Sequence, residues 1–151
     1  MLKQRIDQDL KTALLAGDKT LATTLRGLKS VILYAEVAQG QRDSGLSDEG
    51  IIALLAKEAK KRQESADLYI QGDNPERAAA ELEEKKAIEA YLPQQLSDDD
   101  LKGIIDEVVK TLGVSGAQAM GQVIGSVKQK TAGSADGARI ATLVKERLSE
   151  E

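Results

Sequence analysis

Aliphatic residues spaced three and four positions apart run through nearly the whole chain, and no segment alternates apolar and polar residues with a period of two. The first spacing lines one face of a helix, whereas a half-buried strand needs the second. The pool of core side chains points the same way. Phenylalanine and tryptophan are absent, and Tyr34, Tyr69 and Tyr91 are the only aromatics. Leu, Ile, Val and Ala must therefore fill the interior, which favours helix-on-helix packing over an aromatic-rich sheet. With 41% hydrophobic residues in 151, the chain can bury the core of one domain or of two small ones.

The stripes and their breakers divide the chain into seven helices. Ile6, Leu10, Ala13 and Leu14 form a first stripe that Gly17 ends as a C-cap. Leu21, Leu25, Leu28, Ile32 and Ala35 form a second, stopping before Gly40. After the polar loop "GQRDSG", Ser47 caps a third helix that runs to about Gln71, with Ile52, Leu55, Ala59, Ala66 and Tyr69 on one face. Asn74 caps the fourth, with Pro75 in its first turn and Ala78, Leu82, Ile88, Tyr91 and Leu92 apolar, and Pro93 ends it. In "LPQQLSDDD", Ser97 caps a fifth helix carrying Leu101, Ile104, Ile105, Val108 and Leu112 up to Gly113. Ser115 caps a sixth with Met120, Ile124 and Val127, and Ile140, Leu143, Val144 and Leu148 mark the seventh. The expected fold is all-α, with two different bundles. Four longer helices form an N-terminal bundle over 1–92, and a three-helix C-terminal bundle covers 93–151.

The residues that are missing restrict the chemistry. There is no histidine and no cysteine, so the usual general base, the thiolate nucleophile and the commonest soft metal ligands are all absent. No paired serine–lysine arrangement stands out. The run Asp98–Asp100 suits a helix N-terminus, favoured by the dipole, and lacks the spaced oxygen ligands and glycine of a calcium loop. "QKT" at 129–131 lacks the glycine and preceding strand of a phosphate-binding loop. We therefore expect no catalytic residues, no metal and no cofactor.

Net charge is −4, and 14 of the 21 cations and 16 of the 25 carboxylates precede Pro93. Neither half is basic, so DNA held by bulk charge is not expected, and an RNA site would have to be built from a few placed cations. No apolar run approaches the roughly 20 residues needed to cross a membrane. The charged, amphipathic start "MLKQRIDQDLK" does not read as a secretory signal. The expectation is a soluble protein of the cytoplasm.

Two places concentrate cations. In "KQKTAGSADGARI" (128–140), Gly133 can take a left-handed C-cap, and Ser134 or Asp136 can cap the last helix. Lys128 and Lys130 precede that helix end and Arg139 follows it by a turn. Free amides flanked by three cations make a credible anion cradle, and the same residues also make a plain helix–turn–helix connection. Gly121 and Gly125, one turn apart, would let a neighbouring backbone come close to the sixth helix. The second place is in the N-terminal bundle. Arg26 and Lys29 share an exposed face, and Lys57, Lys60 and Lys61 follow on the third helix, where Lys60 and Glu64 form a compensating pair. Arg62 falls on the inward face of that helix. It calls for a carboxylate, which Glu81 or Glu84 could supply, or else a ligand.

Together "RGLKS" (26–30), "KRQES" (61–65), "EAYLPQQLS" (89–97), "MGQVIG" (120–125) and "GSADGARI" (133–140) resemble the YqeY proteins, also called GatB/YqeY-domain proteins. The resemblance covers nearly the whole chain. It implies an all-helical protein of two bundles, related to the C-terminal region of the B subunit of the aspartyl/glutamyl-tRNA amidotransferase, a carbon–nitrogen ligase with glutamine as amido donor. In that enzyme the tail helps hold tRNA, and residues 120–140 here correspond to it by similarity. Nothing in this chain resembles the enzyme's ATP-dependent kinase core or its Ser–Ser–Lys amidase machinery. The implied function is a non-catalytic module for tRNA or another structured RNA. The alternatives are an accessory component of glutamine-dependent tRNA amidation, working with amidotransferase subunits, and a protein–protein adaptor.

Overall fold

A computed structural model describes residues 1–150. Among them are seven α-helices and no strand, so the chain is all-α. Two compact units divide it, Met1–Leu92 and the residues from Pro93 onward.

In the first unit, α1 (Leu2–Ala16) ends at Gly17, whose φ of 73° is the left-handed conformation a glycine adopts without penalty. Asp18 then caps α2 (Lys19–Ala38) by accepting from the Leu21 amide. Ser47 caps α3 (Asp48–Gln71) and Asn74 caps α4 (Pro75–Glu89), which has proline in its first turn. Ile6, Leu10, Leu25, Leu28, Ile32, Ile51, Leu55, Ile88 and Tyr91 are buried together. Three stripe assignments need correction. Leu14, placed on the first stripe, is exposed. Ile51, not Ile52, is the core residue at the start of α3, and Leu82 is exposed. Helix α4 also stops at Glu89, and Ala90–Leu92 continue as turn residues before Pro93.

In the second unit Ser97 caps α5 (Asp98–Leu112). Its hydroxyl donates to the Asp100 carboxylate, and the Asp100 amide donates back to the Ser97 oxygen. A single 3₁₀ turn, Ala117–Ala119, precedes α6 (Met120–Thr131), so Ser115 is not its cap. Helix α7 is Gly137–Ser149. Leu101, Ile105, Val108, Val123, Val127, Ile140, Val144 and Leu148 form the core of this unit. Gly121 and Gly125 face outward, and a Cβ at either would meet no atom within 4 Å. No neighbouring backbone among the described residues approaches α6 there, contrary to the expectation for that pair.

Candidate functional site

The turn between α6 and α7 is wound tightly and tied down. Thr131 is buried, and its hydroxyl donates back to the Val127 carbonyl at 2.9 Å. Ala132 takes the left-handed C-cap position (φ 42°), and Gly133 continues it at φ 86°. The predicted left-handed glycine is thus the second of two such residues. The Ser134 amide and hydroxyl both donate to the Thr131 carbonyl. Ser134 therefore closes α6, and Asp136 caps α7 by accepting from the Arg139 amide at 3.3 Å.

The segment before α5 lies across this turn. The Leu96 amide donates to the Ser134 carbonyl at 2.8 Å, and the Gln95 side-chain amide donates to the Gly133 carbonyl at 3.2 Å. Arg139 completes the tie, donating through a terminal nitrogen to the Leu96 carbonyl at 2.7 Å and through Nε to Asp98 at 2.5 Å. Its side chain is only 32% exposed. Lys130 turns to Glu107 on α5 at 3.0 Å. Lys128 remains beside the start of α7: a Cβ on Gly137 would lie 3.3 Å from its Cε and 3.4 Å from its Nζ. The ammonium lies beside the first amides of α7, whose positive potential the capping Asp136 carboxylate partly offsets. Of the three cations flanking this turn, Arg139 and Lys130 are thus joined to carboxylates, while Lys128 faces the helix end.

The second cationic face is also largely paired. Lys29 reaches Asp7 at 2.7 Å, close enough for an ion pair though not aligned as a hydrogen bond. Lys61 pairs with Glu58 at 2.9 Å. Arg62 joins α3 to α4 through Glu81 at 3.2 Å and Glu84 at 3.3 Å, with Glu58 at 3.8 Å. The structure thus supplies both of the carboxylates that the sequence offered, plus one more. Arg26, Lys57 and Lys60 are exposed.

Sequence reasoning missed a buried carboxylate. Glu36, 1% exposed, accepts two bonds of 2.8 Å from Lys3 Nζ and a third of 3.2 Å from the Leu46 amide. The lysine first, then the amide, hold its carboxyl below the usual range. The signal was available: position 36 continues the series Leu25, Leu28, Ile32 at helical spacing. Asp48 is likewise held low, mainly by the Leu2 amide at 3.0 Å. Tyr91 donates to Asp9 at 2.5 Å beneath the Arg5 guanidinium. Burial first, and then that carboxylate, push its phenol well above the ordinary range.

The geometry defines an all-helical chain of two units, in which several of the cations on the two candidate faces are matched by carboxylates. No helix among the described residues is long and apolar enough to cross a membrane. The chain belongs to the Yqey-like protein family, whose pattern it matches over residues 3–148. It is 29% identical over 164 aligned positions to the E-type subunit of the glutamyl-tRNA(Gln) amidotransferase of Thermococcus gammatolerans, a match covering 88% of this chain and 25% of that protein. It is 32% identical over 87 positions to altered inheritance of mitochondria protein 41, mitochondrial, of Eremothecium gossypii, covering 58% of this chain and 46% of that one. The chain therefore spans from a quarter to just under half of these relatives.

Proposed function

We propose that this protein is a non-catalytic module that binds tRNA or another structured RNA. The observation that carries the reading is the match to a glutamyl-tRNA(Gln) amidotransferase polypeptide, which takes in 88% of this chain and only a quarter of the relative. The matched stretch contains no histidine or cysteine to act as general base or thiolate, which suits a holding role better than a catalytic one. With three tyrosines in the chain, stacking platforms for single strands are scarce, so backbone and shape contacts are the natural mode. Lys128, in the last turn of α6 with its side chain beside the start of α7, is the best-placed phosphate contact. Arg139 serves chiefly to hold the turn, and Lys130 reaches phosphate only by leaving Glu107.

One well-placed cation gives weak, salt-sensitive binding, with a log–log salt slope of about −1, rising to about −2 to −3 if all three cations engage. Band-shift titration of total tRNA at several low salt concentrations measures that slope. Lys128→Ala should flatten it by about one unit. If instead the Lys57, Lys60, Lys61 triple alanine variant removes binding and Lys128→Ala does not, the N-terminal face is the RNA surface. Absence of binding at the lowest salt refutes the RNA reading.

The name of that relative also favours a second reading, an accessory component of glutamine-dependent tRNA amidation. Carbon–nitrogen ligase activity would then reside in partner subunits. Co-purification with amidotransferase subunits, and stimulation of their turnover by this protein, would support it. Purified protein alone should neither hydrolyse glutamine nor amidate glutamyl-tRNA.

A further inference from the structure

Helices α1 and α2 are antiparallel, joined by the tight turn at Gly17–Asp18, with Lys3 beside Glu36 and Asp7 beside Lys29. Between them runs an open groove of about 570 Å³. Its floor is aliphatic, made by Ile6, Leu10, Ile32 and Leu33, and its rim carries Lys3, Arg26 and Lys29 with no carboxylate in the lining. Two of those cations are neutralised from outside the lining, by Glu36 and Asp7. Arg26 has no carboxylate or carbonyl partner among the described residues, so the groove keeps an uncompensated guanidinium.

The apolar surface continues past the groove. Leu33 is 48% exposed and Val37, one turn on, is 55% exposed. Leu14, one turn beyond Leu10 on α1, is half exposed. Isolated exposed aliphatics need no explanation, but Leu33 and Val37 repeat at the helical pitch on α2, starting from the groove. Side chains at i, i+3, i+4 and i+7 of a third helix match that repeat, as ridges fit grooves.

We propose that the α1–α2 groove docks an amphipathic helix of a partner protein that carries carboxylates beside its apolar stripe. The aliphatic floor takes the stripe, and Arg26 takes a carboxylate as a charge-assisted, two-pronged pair. The lining contains no aromatic side chain on which a nucleic-acid base could stack. A second copy of this chain would bring a second Arg26 to the same strip.

The test is a display selection of helical peptides of about 18 residues, five turns, against the full chain. Enriched peptides should share Leu or Ile at i, i+3 or i+4, and i+7 with an excess of Asp and Glu. Measured by fluorescence anisotropy, their binding should weaken at least about tenfold with Leu33→Glu and with Arg26→Glu. Both positions are exposed, and circular dichroism checks each variant for retained helix. A peptide with its acidic residues changed to lysine should regain affinity for Arg26→Glu, which a general loss of structure could not produce. The proposal is overturned if no peptide enriches, if the winners lack acidic bias, or if both substitutions leave binding unchanged. It is also overturned if phosphatidylglycerol vesicles bind through these two residues while peptides do not.

Discussion

Arg139→Ala separates a structural role of the α6–α7 turn from an RNA-contacting one. The substitution removes the bond to the Leu96 carbonyl at 2.7 Å and the ion pair with Asp98 at 2.5 Å. A charged donor on a partly buried carbonyl contributes about 1.5 kcal/mol or more, and the pair with an Asp98 that is itself mostly exposed adds about 0–1. Discounted for solvent screening at a one-third exposed guanidinium, the loss should be about 1–2 kcal/mol, confined to the second unit. All three tyrosines lie before Pro93. Their fluorescence should therefore be unchanged where far-ultraviolet dichroism records an earlier partial loss of helix. Hydrogen exchange gives the local readout: the Leu96 amide, which donates to Ser134, should lose protection because its stretch of chain is no longer tied. RNA binding, if present, should keep its salt slope. A loss below about 0.3 kcal/mol with Leu96 still protected would refute the reasoning. So would a slope flattened by a full unit in a variant whose Leu96 stays protected, since the guanidinium would then be facing phosphate.

The exposed helical glycines give a second expectation: Gly121→Ala and Gly125→Ala, which meet no atom within 4 Å, should each stabilise the protein by about 0.5–1 kcal/mol in chemical unfolding. Glu36 and Asp48 are held below their ordinary values, so the stability they contribute is present above the carboxylate range and lost as pH falls through their lowered values. The protection of the Leu46 amide, taken relative to its intrinsic exchange rate at each pH, should fall below about pH 4, and Glu36→Gln should remove that pH dependence. Tyr91 is shifted upward, so its contribution is intact below about pH 10 and declines as pH rises above it. Tyr91→Phe should flatten the alkaline loss of stability, measured by urea unfolding between about pH 8 and 11.

Much of the fold could be read because the helical stripes, the caps and the breakers agree. Gly17, Ser47, Asn74 with Pro75, and Ser97 each end or begin a helix as their chemistry requires. Arg62 was legible for a related reason: a charge on an inward face must find a carboxylate, and α4 offers two at the right height. The same rule applied to Glu36 would have exposed the Lys3–Glu36–Leu46 cluster, but Ala35 offered an apolar alternative one position away. Ile51 and Ile52 differ in burial because both are aliphatic and only packing against other helices fixes the rotation of α3. The turn at 131–139 resisted sequence reading most. Its residue types suit an anion cradle, while the partners of Arg139 lie 41 and 43 positions earlier, and no local pattern predicts such a return.

That return gives the second unit a clasp. Residues 95–98 are the first part of it to be synthesised, yet the groups that hold them arrive 38 to 43 residues later. Translation at about 5–20 residues per second leaves the segment waiting on the order of seconds. During that interval α5 and α6 can coil and begin to pack, but the ring they form remains open. Gly133 and Ser134 make the first ties and Arg139 completes them without a covalent bond, so a chain interrupted before residue 133 leaves the beginning of this unit with none of them. The core of the unit also draws on Ile140, Leu143, Val144 and Leu148 of α7, so its beginning and its end must meet before either is packed.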